Sequence, residues 1–213
     1  MDTDRLIRSL AADNDFRVRP VGATLAPALL IASLVSLAML LGTVGVRKDL
    51  MSAMRNPFFD LKFVVTLALA IPAIAISLRM SRPGASLRGW GWMLLAPLVI
   101  LLLGMAGEMM WMPQRPPPMT RLMGHSAMLC LGMIPLLALP LLAAALFALR
   151  QGAPAHPALA GAVAGLLSAG VAGTVYAAHC IDDSPMFVAT WYTLATALVT
   201  AIGALAGAKL LKY

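Results

Sequence analysis

The sequence predicts an all-α integral membrane protein, a bundle of six transmembrane helices with both termini in the cytoplasm. Three observations support this fold class. First, the 213 residues are 61% hydrophobic and only 12% charged, with a mean hydropathy of +0.86, whereas average soluble domains carry about twice that share of charge. Second, six long apolar runs follow one another along the chain. Third, the basic residues are distributed unequally over the segments between these runs.

Each apolar run is close to the roughly 20 residues that a helix needs to cross a hydrocarbon core about 30 Å thick. The runs do not alternate polar and apolar residues, so we predict helices rather than the strands of a barrel. Pro135 and Pro140 lie inside the fourth run, where we expect a kink or an offset. The predicted spans are Leu25–Val46, Phe63–Met80, Trp90–Glu108, Met123–Leu149, Ala158–Ala178 and Phe187–Ala208.

The distribution of Lys and Arg predicts the orientation of these spans. If the N terminus is cytoplasmic, ten basic residues fall on the inner side and six on the outer side, and inner segments are typically the richer ones. The chain then divides into a cytoplasmic arm, residues 1–24, and a transmembrane domain, residues 25–213. The net charge of +7 is explained by topology and contact with membrane lipid, and we expect no direct binding of nucleic acid.

Small residues recur every four positions in the fifth span, a spacing that lets two membrane helices approach closely. We expect them to pack within the bundle rather than to form a dimer interface, and the oligomeric state stays open. The predicted packing glycines are Gly161, Gly165 and Gly173.

The sequence shows no motif of an enzyme, neither a phosphate-binding loop nor a zinc-protease helix nor a nucleophile motif. We therefore predict a non-enzymatic protein without a cofactor. Glu108 is the one acid near a span, at its end, and this scarcity of ionisable groups disfavours an ion-coupled carrier. A small-solute or metal transporter or membrane channel remains the alternative, to be decided by flux measurements in vesicles.

Soft and titratable side chains gather on the predicted outer side. Both cysteines, Cys130 and Cys180, fall near this face, with His125, His179 and Glu108 as possible auxiliary ligands. Thiolate and imidazole are ligands that soft or borderline metals prefer, and two nearby thiols can also form a redox pair. The residues alone are compatible with metal ligands, with a redox pair and with plain packing residues, and they leave open whether the cysteines pair, bind metal or act separately.

The stretch "DDSP" has a structural interpretation. Asp182, Asp183 and Ser184 can cap the start of the last helix, with Pro185 near its first turn. This leaves the preceding His179 and Cys180 unexplained by turn formation.

The arm contains a short amphipathic segment, with an apolar stripe between basic residues. Such a helix can lie on the membrane surface or dock into a groove on a cytoplasmic protein. Its candidate binding residues are Arg5, Leu6, Ile7, Arg8 and Leu10.

Three stretches carry a family resemblance: "DRLIRSLAAD" (Asp4–Asp13), "RNPFFDLK" (Arg55–Lys62) and "HCIDDSPMFVATWY" (His179–Tyr192). The chain resembles the NrsF family of six-span membrane anti-sigma factors, which regulate extracytoplasmic-function sigma factors of the sigma-F type. The resemblance implies a protein of the bacterial inner membrane that holds its sigma factor inactive and releases it under heavy-metal stress. It also implies a sensing role for Cys130 and Cys180, which match the positions of two family cysteines.

Overall fold

The computed structural model describes residues 3–12, 20–82, 89–111, 117–152 and 154–212, and this part of the chain is built from helices and the turns between them. A 3-10 turn, Gly91–Leu95, precedes the helix that begins at Ala96, and a π-helical turn, Val188–Tyr192, joins the last two helices. The helices are α1 (Thr3–Ala12), α2 (Val21–Thr43), α3 (Leu50–Ala53), α4 (Pro57–Met80), α5 (Ala96–Trp111), α6 (Pro118–Met123), α7 (Ala127–Leu149), α8 (Pro157–Ala177), α9 (Pro185–Phe187) and α10 (Thr193–Leu210).

Six stretches are long and apolar enough to cross a membrane, which confirms the predicted all-α architecture of six spans. The helices α2, α4 and α8 each form one span, whereas α6 with α7, and α9 with α10, form the fourth and sixth. The orientation of the termini stays a prediction. The spans are Val21–Thr43, Pro57–Met80, Gly91–Trp111, Pro118–Leu149, Pro157–Ala177 and Pro185–Leu210.

The second span begins six residues before the predicted start at Phe63. The side-chain oxygen of Asn56 accepts a hydrogen bond from the backbone N–H of Phe58 at 3.1 Å, and Pro57 occupies the first helical position. A capping side chain followed by proline is a strong helix start. As a result Lys62, which the sequence placed in an outer loop, lies inside α4.

The fourth span is divided, but away from its prolines. Helix α7 runs without interruption through Pro135 and Pro140, so neither proline ends the helix, and the kink or offset expected there stays a prediction. The division lies at Gly124, whose φ of +56° favours glycine. A β-carbon at this position would also collide with the ring of Phe187 and the carboxyl group of Asp182. Gly124 therefore allows the last loop to approach the start of α7.

Helix α8 occupies the centre of the bundle and packs against α4, α7 and α10, whereas α5 lies at the periphery against α4. The longest interface of α8 is the one with α10. It has glycines on both sides, so the backbones of these two helices are in direct contact. The predicted packing glycines and their neighbours are Gly161 (Gly203 and Gly207), Gly165 (Val199 and Thr200) and Gly173 (Thr66).

Candidate functional site

One end of the bundle carries a dense set of polar and charged side chains. The up-and-down arrangement brings three connections together at this end: the link from α2 to α4, the start of α6 and α7, and the loop from α8 to α9. We call this region the polar end, and it comprises residues 44–62, 117–126 and 178–184 together with Glu108. It corresponds to the predicted outer side.

Cys180 lies at the polar end and Cys130 lies just beyond it in α7, and both are buried. Cys180 follows the last turn of α8, where its backbone N–H donates to the carbonyl oxygen of Tyr176 at 3.1 Å. Cys130 lies in the first turn of α7, and its side chain, like that of Cys180, is 0% exposed. Both thiols are free, and both side chains belong to the buried core of the bundle. Burial raises the pKa of Cys180, so its thiol stays protonated at neutral pH.

A buried ion pair anchors the loop that carries Cys180. Lys62, 0% exposed, donates to a carboxylate oxygen of Asp183 at 2.7 Å and to the carbonyl oxygen of Cys180 at 2.8 Å. Arg47 contacts the same two oxygen atoms, at 2.9 and 3.2 Å. Two cations, one from the link after α2 and one from α4, therefore converge on one loop. Low polarity around the pair strengthens each contact, provided that every charge keeps its partner.

Lys62 and Arg47 also make contacts with residues outside the Cys180 loop. The ring of Phe59 lies 5.0 Å from the Lys62 ammonium and 5.4 Å from the Arg47 guanidinium, a cation–π arrangement. Arg47 also makes a two-point contact with the exposed carboxylate of Asp49, at 2.7 and 2.8 Å. This hydrogen bonding lowers the pKa of Asp49 to about 2.

Asp182 fastens the same loop to α7. Its carboxylate accepts from the backbone N–H groups of His125, at 3.0 Å, and Ser126, at 2.9 Å. These groups precede the first turn of α7, where backbone donors have no partner within the helix and a negative charge is favourable. Asp182 thus binds the start of α7, and not the last helix as the sequence suggested.

Ser184 does cap the last helix, as predicted. Its hydroxyl oxygen accepts from the backbone N–H of Met186 at 3.3 Å and donates to Glu108 at 3.0 Å. Glu108 is fully buried inside α5 and lies 3.5 Å from Arg121 of α6. This second ion pair joins the third and fourth spans to the last one.

The predicted auxiliary ligands are engaged elsewhere. The His125 side chain is 83% exposed, with Nδ1 3.3 Å from Asp182. His179 directs Nδ1 to the carbonyl oxygen of Gly45 at 2.8 Å, and Glu108 is held as described above. Within the described ranges, no group of three or more His, Cys, Asp or Glu side chains is arranged to hold a metal ion. The structure thus places both cysteines in the buried core, whereas these three residues make their contacts elsewhere.

Two tyrosines beside the cysteines were missed by the sequence prediction. Tyr176 in α8 and Tyr192 in the π-helical turn are buried, with ring centroids 6.0 Å apart. Tyr192 lies beside the thiol of Cys180 and interacts with it, and the Tyr176 hydroxyl makes no hydrogen bond to a described residue. Lys62 and Asp183 were missed as well, although both lie in stretches that carry the family resemblance.

The predicted arm helix forms as α1. Ile7 is exposed, and the side chain of Arg8 donates to the carbonyl oxygen of Asp4 at 3.2 Å. The side chains of Leu6 and Leu10, which complete the predicted stripe, lie outside the described residues, as do residues 13–19 of the arm.

Comparison with known proteins agrees with the resemblance. The family model described as NrsF, negative regulator of sigma F, matches residues 10–213. The anti-sigma-F factor NrsF of Caulobacter vibrioides is 36% identical over the full length of both chains. A probable anti-sigma-F factor NrsF of Azospira oryzae is 34% identical over 82% of each chain. Solved structures give no match. The matches cover nearly the whole chain, and the protein belongs to the NrsF family of negative regulators of sigma F.

Proposed function

We propose that this protein is a membrane-bound anti-sigma factor of the bacterial inner membrane. It sequesters an extracytoplasmic-function sigma factor and releases it when heavy-metal or redox stress acts on Cys130 and Cys180. Family membership supports the sigma-factor part of the proposal. One observation supports the sensing part. Two free, buried thiols lie in a loop and in the start of a helix, and charged contacts hold this loop and this helix start together.

The contacts around Cys180 also supply a route to the other end of the bundle. Lys62 ties the Cys180 loop to the first turns of α4. The last turn of α4 carries Arg79, whose guanidinium lies 3.9 Å above the ring of Trp90, at the start of the third span. A shift of the loop would therefore act on a helix that reaches the predicted cytoplasmic side. If the sigma factor binds two states of the protein with free energies that differ by about 1.4 kcal/mol, its affinity for the two states differs tenfold.

The arm provides the first test. Substituting Leu6, Ile7 and Leu10 together by Asp should abolish co-purification of the sigma factor from detergent-solubilised membranes, because the charges remove the apolar stripe. A matched variant with Ser9→Asp keeps that stripe and should retain capture. Undiminished capture by the triple variant would show that the sigma factor binds elsewhere.

The cysteines provide the second test. In cells that carry a sigma-dependent reporter, Cys130→Ser combined with Cys180→Ser should leave basal repression intact and remove at least nine-tenths of the induction by metal stress. Serine keeps the size of the side chain but is a poor ligand for soft metals and cannot form a disulfide. Normal induction in this variant would exclude the thiols as the sensor.

A further inference from the structure

The third span is the least buried of the six spans. Only three of the sixteen residues of α5 are buried, namely Pro97, Leu101 and Glu108, compared with thirteen of the twenty-one residues of the central helix α8. The elements that move when a protein changes state are drawn from those with few buried contacts. The third span is therefore the part of the bundle that can move at the lowest cost in free energy.

At the polar end, α5 is closely packed. A β-carbon on Gly104 would collide with the side chain of Leu61 and would lie 3.6 Å from the β-carbon of Pro185, so the glycine lets α4 and α9 approach the helix. One turn further along, the Glu108 carboxylate accepts a hydrogen bond from the Ser184 hydroxyl at 3.0 Å and lies 3.5 Å from Arg121. Close packing and polar contacts therefore fix this end of α5 to α4, α6 and α9.

The other half of the third span faces a cavity of about 190 Å³. The lining of this cavity includes Leu94, Leu98 and Leu101 of the third span, Ala169 of α8 and Thr196 of α10. Atoms that line a void lack contacts on one side, so movement of the span into this space gains packing. The cavity thus gives this half of the span room to approach α8 and α10.

A contact at the far end depends on the position of this half. The guanidinium of Arg79, in the last turn of α4, lies 3.9 Å from the centre of the Trp90 ring, and Trp90 directly precedes the third span. The helical rise between Gly104 and Trp90 is about 23 Å, and over this length a rotation of about 5° displaces the ring by about 2 Å. A small rotation at Gly104 is therefore enough to change the cation–π contact with Arg79.

We propose that the third span is the moving element of the bundle, pivoting at Gly104 so that a change in the contact between Glu108 and Ser184 displaces Trp90 at the opposite end. This inference rests on the regulatory role proposed above and names its moving part. Because Ser184 directly follows Asp183, a shift of the loop from α8 to α9 also acts on Glu108. The two positions of the span differ in the width of the cavity and in the cation–π contact, while the other five spans keep their places.

The test uses the full-length protein in detergent micelles, labelled with 5-fluorotryptophan and observed by fluorine NMR. The chain has four tryptophans, and the signal of Trp90 is the one that Trp90→Phe removes. Ser184→Gly deletes the hydroxyl that donates to Glu108, whereas glycine is still a favoured N-cap residue. This substitution should shift the Trp90 signal by more than its linewidth. As a matched control, Ser168→Ala removes a buried hydroxyl of α8 that donates to the carbonyl oxygen of Ala164 at 2.7 Å, and it should leave the signal in place.

Filling the cavity tests whether the span needs this space. Ala169→Leu narrows the cavity from α8, and Thr196→Leu narrows it from α10 at a half-buried position. In either background, Ser184→Gly should no longer shift the Trp90 signal, because the span has no room to move.

Three results would each overturn the inference: an unchanged Trp90 signal in Ser184→Gly, an equal shift in Ser168→Ala, or a full shift in the filled variants. Since neither metal nor sigma factor is present, the outcome is independent of whether the protein represses transcription.

Discussion

Replacing Asp183 by asparagine is expected to destabilise the folded protein by about 3–5 kcal/mol, the usual cost of leaving a buried charge without its partner. The Lys62 ammonium is fully buried, and Asp183 is the carboxylate it contacts. Arg47 would lose the same contact but keeps Asp49, which is exposed to solvent. The measurement is reversible unfolding in mixed micelles, followed by helical circular dichroism as a denaturing detergent is added.

A double-mutant cycle identifies the unpaired Lys62 charge as the cause. Lys62→Met alone should cost much less, because Asp183 keeps Arg47 and methionine fills a similar volume. Combining Lys62→Met with Asp183→Asn should recover most of the stability lost in Asp183→Asn. Asp49→Asn serves as the control on an exposed ion pair, which typically contributes little. If Asp183→Asn unfolds at the same detergent fraction as the parent, Lys62 does not depend on this carboxylate.

Gly161→Ala is expected to lower the stability by about 1–3 kcal/mol, the range typical of overpacking a core. The new β-carbon would fall against the backbone of Gly203 and Gly207 in α10, with the Gly207 Cα only 2.7 Å away. A backbone neighbour cannot rotate aside as a side chain can, so α8 and α10 would have to separate. The same unfolding assay measures the loss.

Gly132→Ala provides the matched control. Gly132 is also a helical glycine within a span, but nothing lies within 4 Å of the position that its β-carbon would take. Alanine is the better helix former by about 1 kcal/mol, so this variant should be as stable as the parent or more stable. Equal effects of the two substitutions would mean that the contact between α8 and α10 does not limit stability.

The sequence predicted those features that depend on local composition. Six spans follow from six apolar runs, because each run must cross the bilayer as a helix. The cap formed by Ser184 followed from the residue pair Ser184–Pro185, which specifies a helix start by itself. Both predictions need only neighbouring residues, and the structure bears out each of them.

The charged contacts could not be predicted in the same way. Lys62 seemed to lie in a loop because the hydropathy of the second run rises only after it, whereas Asn56 and Pro57 start the helix earlier. Its partner Asp183 is 121 positions away, and no local pattern relates the two. The role of Asp182 depends on Gly124, whose lack of a β-carbon permits the approach of the loop. Such pairings become visible only after the six spans are assembled.

The long separation of Lys62 from Asp183 has a consequence for the synthesis of the protein. At about 5–20 residues per second, Asp183 leaves the ribosome roughly 6–24 seconds after Lys62. During this interval the second span enters the bilayer with a cation that its final neighbours do not yet neutralise. The ion pair therefore joins the earliest spans to the latest loop, and only a chain translated beyond Asp183 can complete it. A product truncated before Asp183 would leave the buried Lys62 charge without its carboxylate, which is strongly destabilising.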